Sequence, residues 1–186
     1  MSLATPRLTI RPLDANDLEG FVAYRQDPQV ACYQGWEPSF SMEDGRKLVL
    51  AQPSGALPPP GEWLQLAVHH KDGALLGDVA VHTLEDPPHT FEIGVTLSRA
   101  AQGSGVATEA VTAVLEHLFS NAGARRVVAV CDARNQPVVR LLQRVGMIKE
   151  SSEVDVEWFK GEWVSLDTYV LSSGDLLPRF GRTDSR

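Results

Sequence analysis

SRAAQGSGVATEAV, residues Ser98–Val111, sets two glycines, Gly103 and Gly105, one residue apart and directly before a stretch with helical periodicity. The first N–H groups of a helix have no partner inside it, and the helix dipole makes that end partly positive. Glycines let the backbone close on a phosphate, so the turn is a seat for an anion, with a pyrophosphate as its natural occupant. A Walker loop is excluded, because Gly-x-x-x-x-Gly-Lys-Ser/Thr needs a lysine that this turn lacks. A dinucleotide fold needs Gly-x-Gly-x-x-Gly close behind a strand. Here the third glycine is Thr108, and Arg99–Gln102 intervene; Asp132, after the next strand, keeps that alternative open.

Outward from the turn, TFEIGVTLS (Thr90–Ser98) reads as a strand and Ser104–Ala122 as a helix with an apolar stripe of Ala107, Val111, Val114, Leu118 and Phe119. EWLQLAVHH and ALLGDVAVHTL form a hairpin about KDG, and RLTIRPL (Arg7–Leu13) alternates as a strand. Asp14 caps a helix with Leu18, Phe21 and Val22 on one face, and a second helical region spans about Ser41–Gln52. The proline- and glycine-rich PSGALPPPG (Pro53–Gly61) is a loop. RRVVAVCDA is a continuous apolar strand of the kind buried on both faces. NQPVVRLLQRVG is a short helix with Asn135 as cap and Gly146 as stop, and strands near Met147–Phe159 and Trp163–Leu171 close the chain. The expected fold is α+β: one domain over residues 1–171, a mixed sheet of about seven strands with helices on both faces, and a tail at 172–186. The opening MSL reads as a vector remnant.

A length of 186 residues, 43% hydrophobic and 22% charged, suits one globular domain. No apolar run is long enough to span a bilayer, so a cytoplasmic protein is expected. The net charge of -7 and the scattered Lys and Arg argue against a nucleic-acid binder, and suit cationic small substrates. Cys32 and Cys131 form no Cys-x-x-Cys pair, and the five histidines have no ligand spacing, so no metal is expected. Cys131 reads as core. Trp36, Trp63, Trp158 and Trp163 read as core.

A third reading of the turn covers more residues. Gln102-x-x-Gly105-x-Ala107 matches the Q/R-x-x-G-x-G/A signature of the GNAT superfamily of acyl-CoA-dependent N-acetyltransferases, and QGSGVATEAV resembles the version found in its RimJ/RimL-type subgroup. FEIGVTL before it, RNQPVVRLLQRVGM and VEWFKGEW after it, and the opening TPRLTIRPLDANDLEGF extend the resemblance over about residues 7–171.

The resemblance implies that CoA pyrophosphate rests on backbone N–H groups of Gln102, Gly103, Ser104, Gly105, Val106 and Ala107. It implies that pantetheine bonds to the backbone of Ile93, Val95 and Leu97, that the Val95 N–H polarises the thioester carbonyl, and that Asn135 contacts CoA; it also sets Trp36 and the Pro53–Gly61 loop where the family builds its acceptor pocket, as the alternative to a core role for Trp36. An alkyl amine with pKa near 10 is about one part in a thousand unprotonated at pH 7, so a carboxylate that takes its proton helps the attack. By the resemblance, Glu157, in the setting E-aromatic-x-x-G, is the first candidate for that base, and Glu92, on the strand beside pantetheine, the second. The tyrosine that many family members use to protonate the leaving thiolate is Leu142 here, and the RimL-type serine is Val138. Tyr169, Ser151 or water are the remaining donors. The implied function is acetyl transfer from acetyl-CoA to a primary amine, either a protein N-terminus or a small amine of the polyamine or aminoglycoside kind. A CoA-binding protein without transfer is the alternative, and a homodimer is expected.

Overall fold

Adjacent residues of one strand divide the interior into two parts. In β3 (Trp63–His70), Leu64, Leu66 and Val68 enter a large core with the side chains of α4 (Val106–Ser120), while Ala67 enters a smaller one with Phe21 and Tyr24 of α1 (Leu18–Arg25). The strand period of two therefore sends alternate residues to helices on opposite faces of the sheet. A computed structural model describes residues 1–176. Its sheet has eight strands in the order β1-β2-β3-β4-β5-β6-β8-β7.

β1 (Leu3–Ala4), β2 (Leu8–Pro12), β3, β4 (Leu75–Thr83) and β5 (Thr90–Leu97) run antiparallel in succession. β6 (Arg126–Asp132) lies parallel to β5, so the chain needs a crossover, which α4 supplies. β7 (Ile148–Phe159) and β8 (Glu162–Ser172) form a hairpin whose β8 pairs with β6. α5 (Gln136–Arg144) shares the α4 face, and α3 (Met42–Leu50) packs on α1 across the sheet.

Capping chemistry sets the helix starts. Asp14 opens a 3₁₀ turn at Ala15–Asp17 that leads into α1, and its carboxylate accepts from the Asn16 N–H at 2.7 Å. Ser41 and Asp44 form a reciprocal capping box at the start of α3.

Four details differ from the sequence reading. The sheet has an eighth strand, β1, because Leu3 and Ala4 pair with Ile10 and Thr9; two residues carry no period, and the MSL segment is part of the fold. Val130 of β6 is 44% exposed rather than buried on both sides, because β5 has diverged from β6 at that level. Trp63, Trp158 and Trp163 are exposed, not core; the last two meet edge to face across the β7–β8 hairpin. β8 runs to Ser172 and a turn at Ser173–Leu176 follows it, with the Ser173 N–H donating to the Arg125 carbonyl; the remainder of the expected tail lies outside the described residues.

Candidate active site

The glycine turn is built to present N–H groups. Gly103 and Gly105 hold φ of 73° and 82°, which glycine adopts without the Cβ clash that other residues meet. A Cβ on Gly103 would touch no protein atom, so backbone conformation and not crowding calls for glycine there. Gly105 is the N-cap of α4 and no side chain caps it, which leaves the first-turn N–H groups free for a ligand. The Gln102 N–H already donates to the Arg99 carbonyl. Its side chain instead ties the turn to the strand before it, donating from Nε2 to the Leu97 carbonyl at 3.1 Å. Arg140 and Arg144, on α5, line the same cavity and put two cations beside the turn of a chain that is acidic overall.

The strand before the turn opens a gap. Leu84 donates to the Thr90 carbonyl and Ser98 to the Leu76 carbonyl. In an antiparallel ladder these bonds alternate, so the even-numbered residues of β5 bond to β4, and Ile93, Val95 and Leu97 direct their backbone groups towards β6. The β5–β6 ladder ends at the pair Glu92 and Val128. Beyond it the strands part, and the backbone of Val95 and Leu97 faces the opening.

Three cavities meet at this opening. One of about 390 Å³ runs from Val95 and Leu97 along the glycine turn to Asn135 and the α5 arginines. One of about 100 Å³ fills the gap itself, between Ile93 and Val95 on one side and Val130 and Asp132 on the other. The third, of about 800 Å³, lies on the opposite face, between α1, the Trp36 segment and the sheet. Val95 and Gln34 line all three. In the third cavity the sheet contributes the small pair Ala80 and Gly94, and a Cβ on Gly94 would meet only the Ala80 methyl, at 3.7 Å.

The walls of the third cavity hold polar groups in a mostly buried setting. Arg25 is 4% exposed, with its guanidinium carbon 3.7 Å from the Trp36 ring centroid and 4.1 Å from that of Phe21. Its Nη2 stands 3.6 Å from Asp78 Oδ1, and that oxygen also accepts from the Tyr24 hydroxyl. Burial raises the Asp78 carboxyl above the usual carboxylate range, against the pull of Arg25. The Arg25 Nε and Gln65 Oε1 atoms are enclosed without a hydrogen-bond partner.

The two candidate carboxylates occupy different settings. Glu92 shares a face of β5 with Gly94 and Thr96, next in the row after the acceptor-side cavity, and its Oε2 is 3.5 Å from His82 Nδ1. Trp63 stacks on that histidine at 4.6 Å between centroids and also lines the cavity. Glu157 is exposed on the outer strand β7, across from Val164. Three residues on, at the hairpin tip, Lys160 Nζ donates to the carbonyls of Ala31 and Trp36 and so anchors the hairpin over the Trp36 segment.

Among the proton donors, Leu142 is 3% exposed and Val138 half-buried, as their apolar character predicts. Tyr169 is 2% exposed within the core, where burial raises its phenol, and Ser151 is exposed on β7. Tyr33, which the sequence reading passed over, lines both the gap and the cavity of the glycine turn. No spacing could have found it, since it lies in the turn after the four-residue helix α2 (Pro28–Ala31) and reaches the site only through the fold. Asp132 is buried and held below the usual carboxylate range by Arg134, to which it bonds at 2.7 Å, so it is not a free acid for a ribose. Burial pushes the Cys131 thiol up to about 11. No helix among the described residues is long and apolar enough to cross a membrane.

The chain resembles known proteins over most of its length. Residues 7–148 match the family model described as an acetyltransferase (GNAT) domain. An uncharacterized N-acetyltransferase p20 of Bacillus licheniformis is 26% identical over 92% of this chain and 94% of its own. A ribosomal-protein-serine acetyltransferase of Escherichia coli is 27% identical over 70% of this chain and 71% of its own. The crystal structure of a GNAT-family acetyltransferase from Bacillus anthracis superposes with a TM-score of 0.82 at 25% identity, covering 94% of this chain and 99% of that one.

Proposed function

Since this chain belongs to the GNAT acetyltransferase family and is an acetyl-CoA-dependent N-acetyltransferase, we propose that its reaction takes place at Val95, where the cofactor cavity meets the acceptor cavity. The pyrophosphate of acetyl-CoA lies on the N–H groups of Gly103, Ser104, Gly105, Val106 and Ala107, with Arg140 and Arg144 supplying counter-charge. Gln102 holds the turn in place through its side chain, and Asn135 lines the pantetheine path. Pantetheine completes the sheet in the gap by bonding to the open backbone of Ile93, Val95 and Leu97. The Val95 N–H then points at the thioester oxygen and stabilises the negative charge that develops there.

A primary amine enters from the opposite face and attacks the thioester carbon. A C–N bond forms, the C–S bond breaks, the amine gives up a proton, and the CoA sulfur takes one. Glu92 receives the amine proton, directly or through a water, because it lies two residues before Gly94 on the acceptor face of the reacting strand. Glu157, on the hairpin that Lys160 anchors, is the alternative base. Tyr33 returns a proton to the thiolate in place of the tyrosine that Leu142 replaces. A thiol leaves tolerably without such help, its pKa being near 8.5, so Tyr33 assists the step and is not a condition of it.

The observation that carries this reading is the junction: one strand, β5, offers backbone groups to the gap and side chains to the acceptor cavity. The test is release of free CoA thiol from acetyl-CoA over a panel of amines and peptides. Binding of CoA without thiol release for any acceptor would overturn it. The same reading puts the protein in the cytoplasm, where acetyl-CoA is available. It also pairs two copies through the exposed apolar side chains of the β7–β8 hairpin, Val154, Trp158 and Trp163 among them. A single 20.3 kDa species in light scattering at micromolar concentration would rule out the pairing.

A further inference from the structure

Several carbonyl oxygens in and before the glycine turn are held by donors of this chain. The Leu97 carbonyl accepts from Gln102 Nε2, and the Ala101 carbonyl from Ser104 Oγ at 2.6 Å. The Ser104 carbonyl is taken by a residue from outside the turn. Arg7, 97 positions earlier in the chain, donates to it from Nη1 at 3.0 Å. The same guanidinium is fixed at its other end, where Arg7 Nε donates to Glu109 Oε2 at 2.6 Å. Glu109 Oε1 accepts from the Arg7 N–H at 3.0 Å and from the Thr5 hydroxyl at 2.5 Å. Arg7 Nη2 lies 3.4 Å from where a Cβ on Gly105 would stand. Exposed ion pairs ordinarily hold their side chains loosely. Arg7 is 46% exposed, yet it is bonded to both α4 and the turn, which confines it to one geometry.

A trans peptide is planar, with its C=O and N–H on opposite sides. Drawing the Ser104 carbonyl to Arg7 therefore turns the Gly105 N–H the other way. A Ser104 carbonyl free to swing round would meet an anion with an oxygen in place of a donor. Glu109 gives the arginine a second task. It lies in the first turn of α4, where its carboxylate repels any anion seated on that helix end unless a cation offsets it. We propose that Arg7 is a positioning residue for acetyl-CoA, one that holds the Ser104–Gly105 peptide with its N–H towards the pyrophosphate and offsets the Glu109 charge beside the turn. This rests on the turn being the pyrophosphate seat, and it adds a residue that acts on the ligand through the Ser104 carbonyl.

The experiment uses the full chain with three ligands: CoA, dephospho-CoA, which keeps the pyrophosphate but lacks the 3′-phosphate, and pantetheine, which lacks both. Calorimetry reads binding, and thiol release reads turnover with acetyl-CoA and with acetyl-pantetheine. Arg7→Gln should weaken CoA and dephospho-CoA by the same factor, about ten- to a hundredfold, as expected for one hydrogen bond to a charged group, with pantetheine unchanged. The KM for acetyl-CoA should rise in step while kcat stays within about twofold, and kcat/KM for acetyl-pantetheine should not move. Arg7→Lys keeps the charge but not the fork that reaches Glu109 and Ser104 together, so it should recover only part of the loss. If the glutamine variant does not fold, the lysine variant carries the test, with CoA weakened at least about threefold and pantetheine unchanged. Unchanged CoA binding, equal losses for CoA and pantetheine, or full recovery by lysine overturns the inference and leaves acetyl transfer standing. Wild-type protein that binds CoA no better than pantetheine overturns both the inference and the seat. The selective loss of CoA binding without turnover of any acceptor upholds the inference and overturns the transfer reading.

Discussion

The two sides of β5 use different materials. On the gap side the proposed cofactor path is backbone: the glycine turn, the first N–H groups of α4, and the odd-numbered residues of β5 beyond Glu92. The cavity proposed for the acceptor is walled by side chains drawn from α1, the Trp36 segment, β3 and β4. The contrast follows from what each side must recognise. A pyrophosphate and an amide-bearing arm are matched by repeated N–H and C=O groups, which any sequence supplies once φ and register are fixed. An acceptor is distinguished by where its charges and oxygens lie, and only placed side chains can read that.

If backbone holds the cofactor, the most damaging change is one that fills the turn. Gly105→Glu adds a side chain at a φ of 82° and a negative charge where the pyrophosphate lies. For the wild type, acetyl-CoA at a hundred times its Kd should stabilise the fold by about 2.7 kcal/mol, visible as a melting-temperature rise of several degrees, and NAD should give none. The variant should lose the rise entirely. A folded Gly105→Glu protein that still binds CoA as the wild type does would mean that the turn does not hold it.

On the acceptor side the largest effect should come from the base. Glu92→Gln keeps shape and removes the proton acceptor, so turnover should fall about 10²- to 10⁴-fold with CoA binding unchanged. Glu157→Gln, measured beside it, should lose less than tenfold. The Glu92→Gln deficit should shrink as pH rises towards the amine pKa near 10, because the amine then arrives already neutral. The reverse ranking of the two variants would move the base to the anchored hairpin. Small, equal losses would mean that positioning alone carries the rate.

The same division explains what could be read from the sequence. The gap side was legible because its signals are local: two glycines at fixed spacing, a helix directly after them, a strand directly before. Seven of the eight strands and the helix over 106–120 followed from periodicity in the same way. The acceptor side was not, since Arg25, Gln65 and Asp78 lie on three elements with no common spacing, and their meeting depends on α1 crossing the sheet at Ala67. The tryptophans misled for a related reason. Composition counts Trp158 and Trp163 as core material, but they sit on a hairpin that is the edge of the sheet, with no layer over them among the described residues. Val130 reads as part of a buried apolar run, and its exposure marks the place where β5 and β6 part.

Tyr33 lies where the two sides join, so its removal should cost less than either previous change. Tyr33→Phe should lower kcat about tenfold and leave the KM for acetyl-CoA within about twofold, because the ring remains and only the proton donor goes. A thiolate that leaves unaided would show no change in kcat, and protonation would then fall to water.

The smallest effect, and the one that tests the contrast without any ligand, is in stability against pH. Asp132, at the gap, is held below its usual range by hydrogen bonds from Arg134, so its pKa is lower folded than unfolded. Its contribution is present above the ordinary carboxylate pKa near 4 and is lost as pH falls through the folded value. Asp78, under the acceptor cavity, is raised by burial, so its contribution is full below that ordinary pKa and declines as pH rises through the folded value. Asn at either position no longer titrates. Asp132→Asn should therefore destabilise by about 1 kcal/mol at pH 7, since Arg134 is half exposed and water screens the pair, and the gap to wild type should close as the pH is lowered towards 3. For Asp78→Asn the gap should widen over the same range, because the wild type gains from the proton that the variant cannot take up. Urea denaturation of the three proteins between pH 7 and the lowest pH at which they remain folded gives both slopes. Slopes of the same sign would mean that Arg25 and Tyr24 compensate the buried Asp78 charge in full.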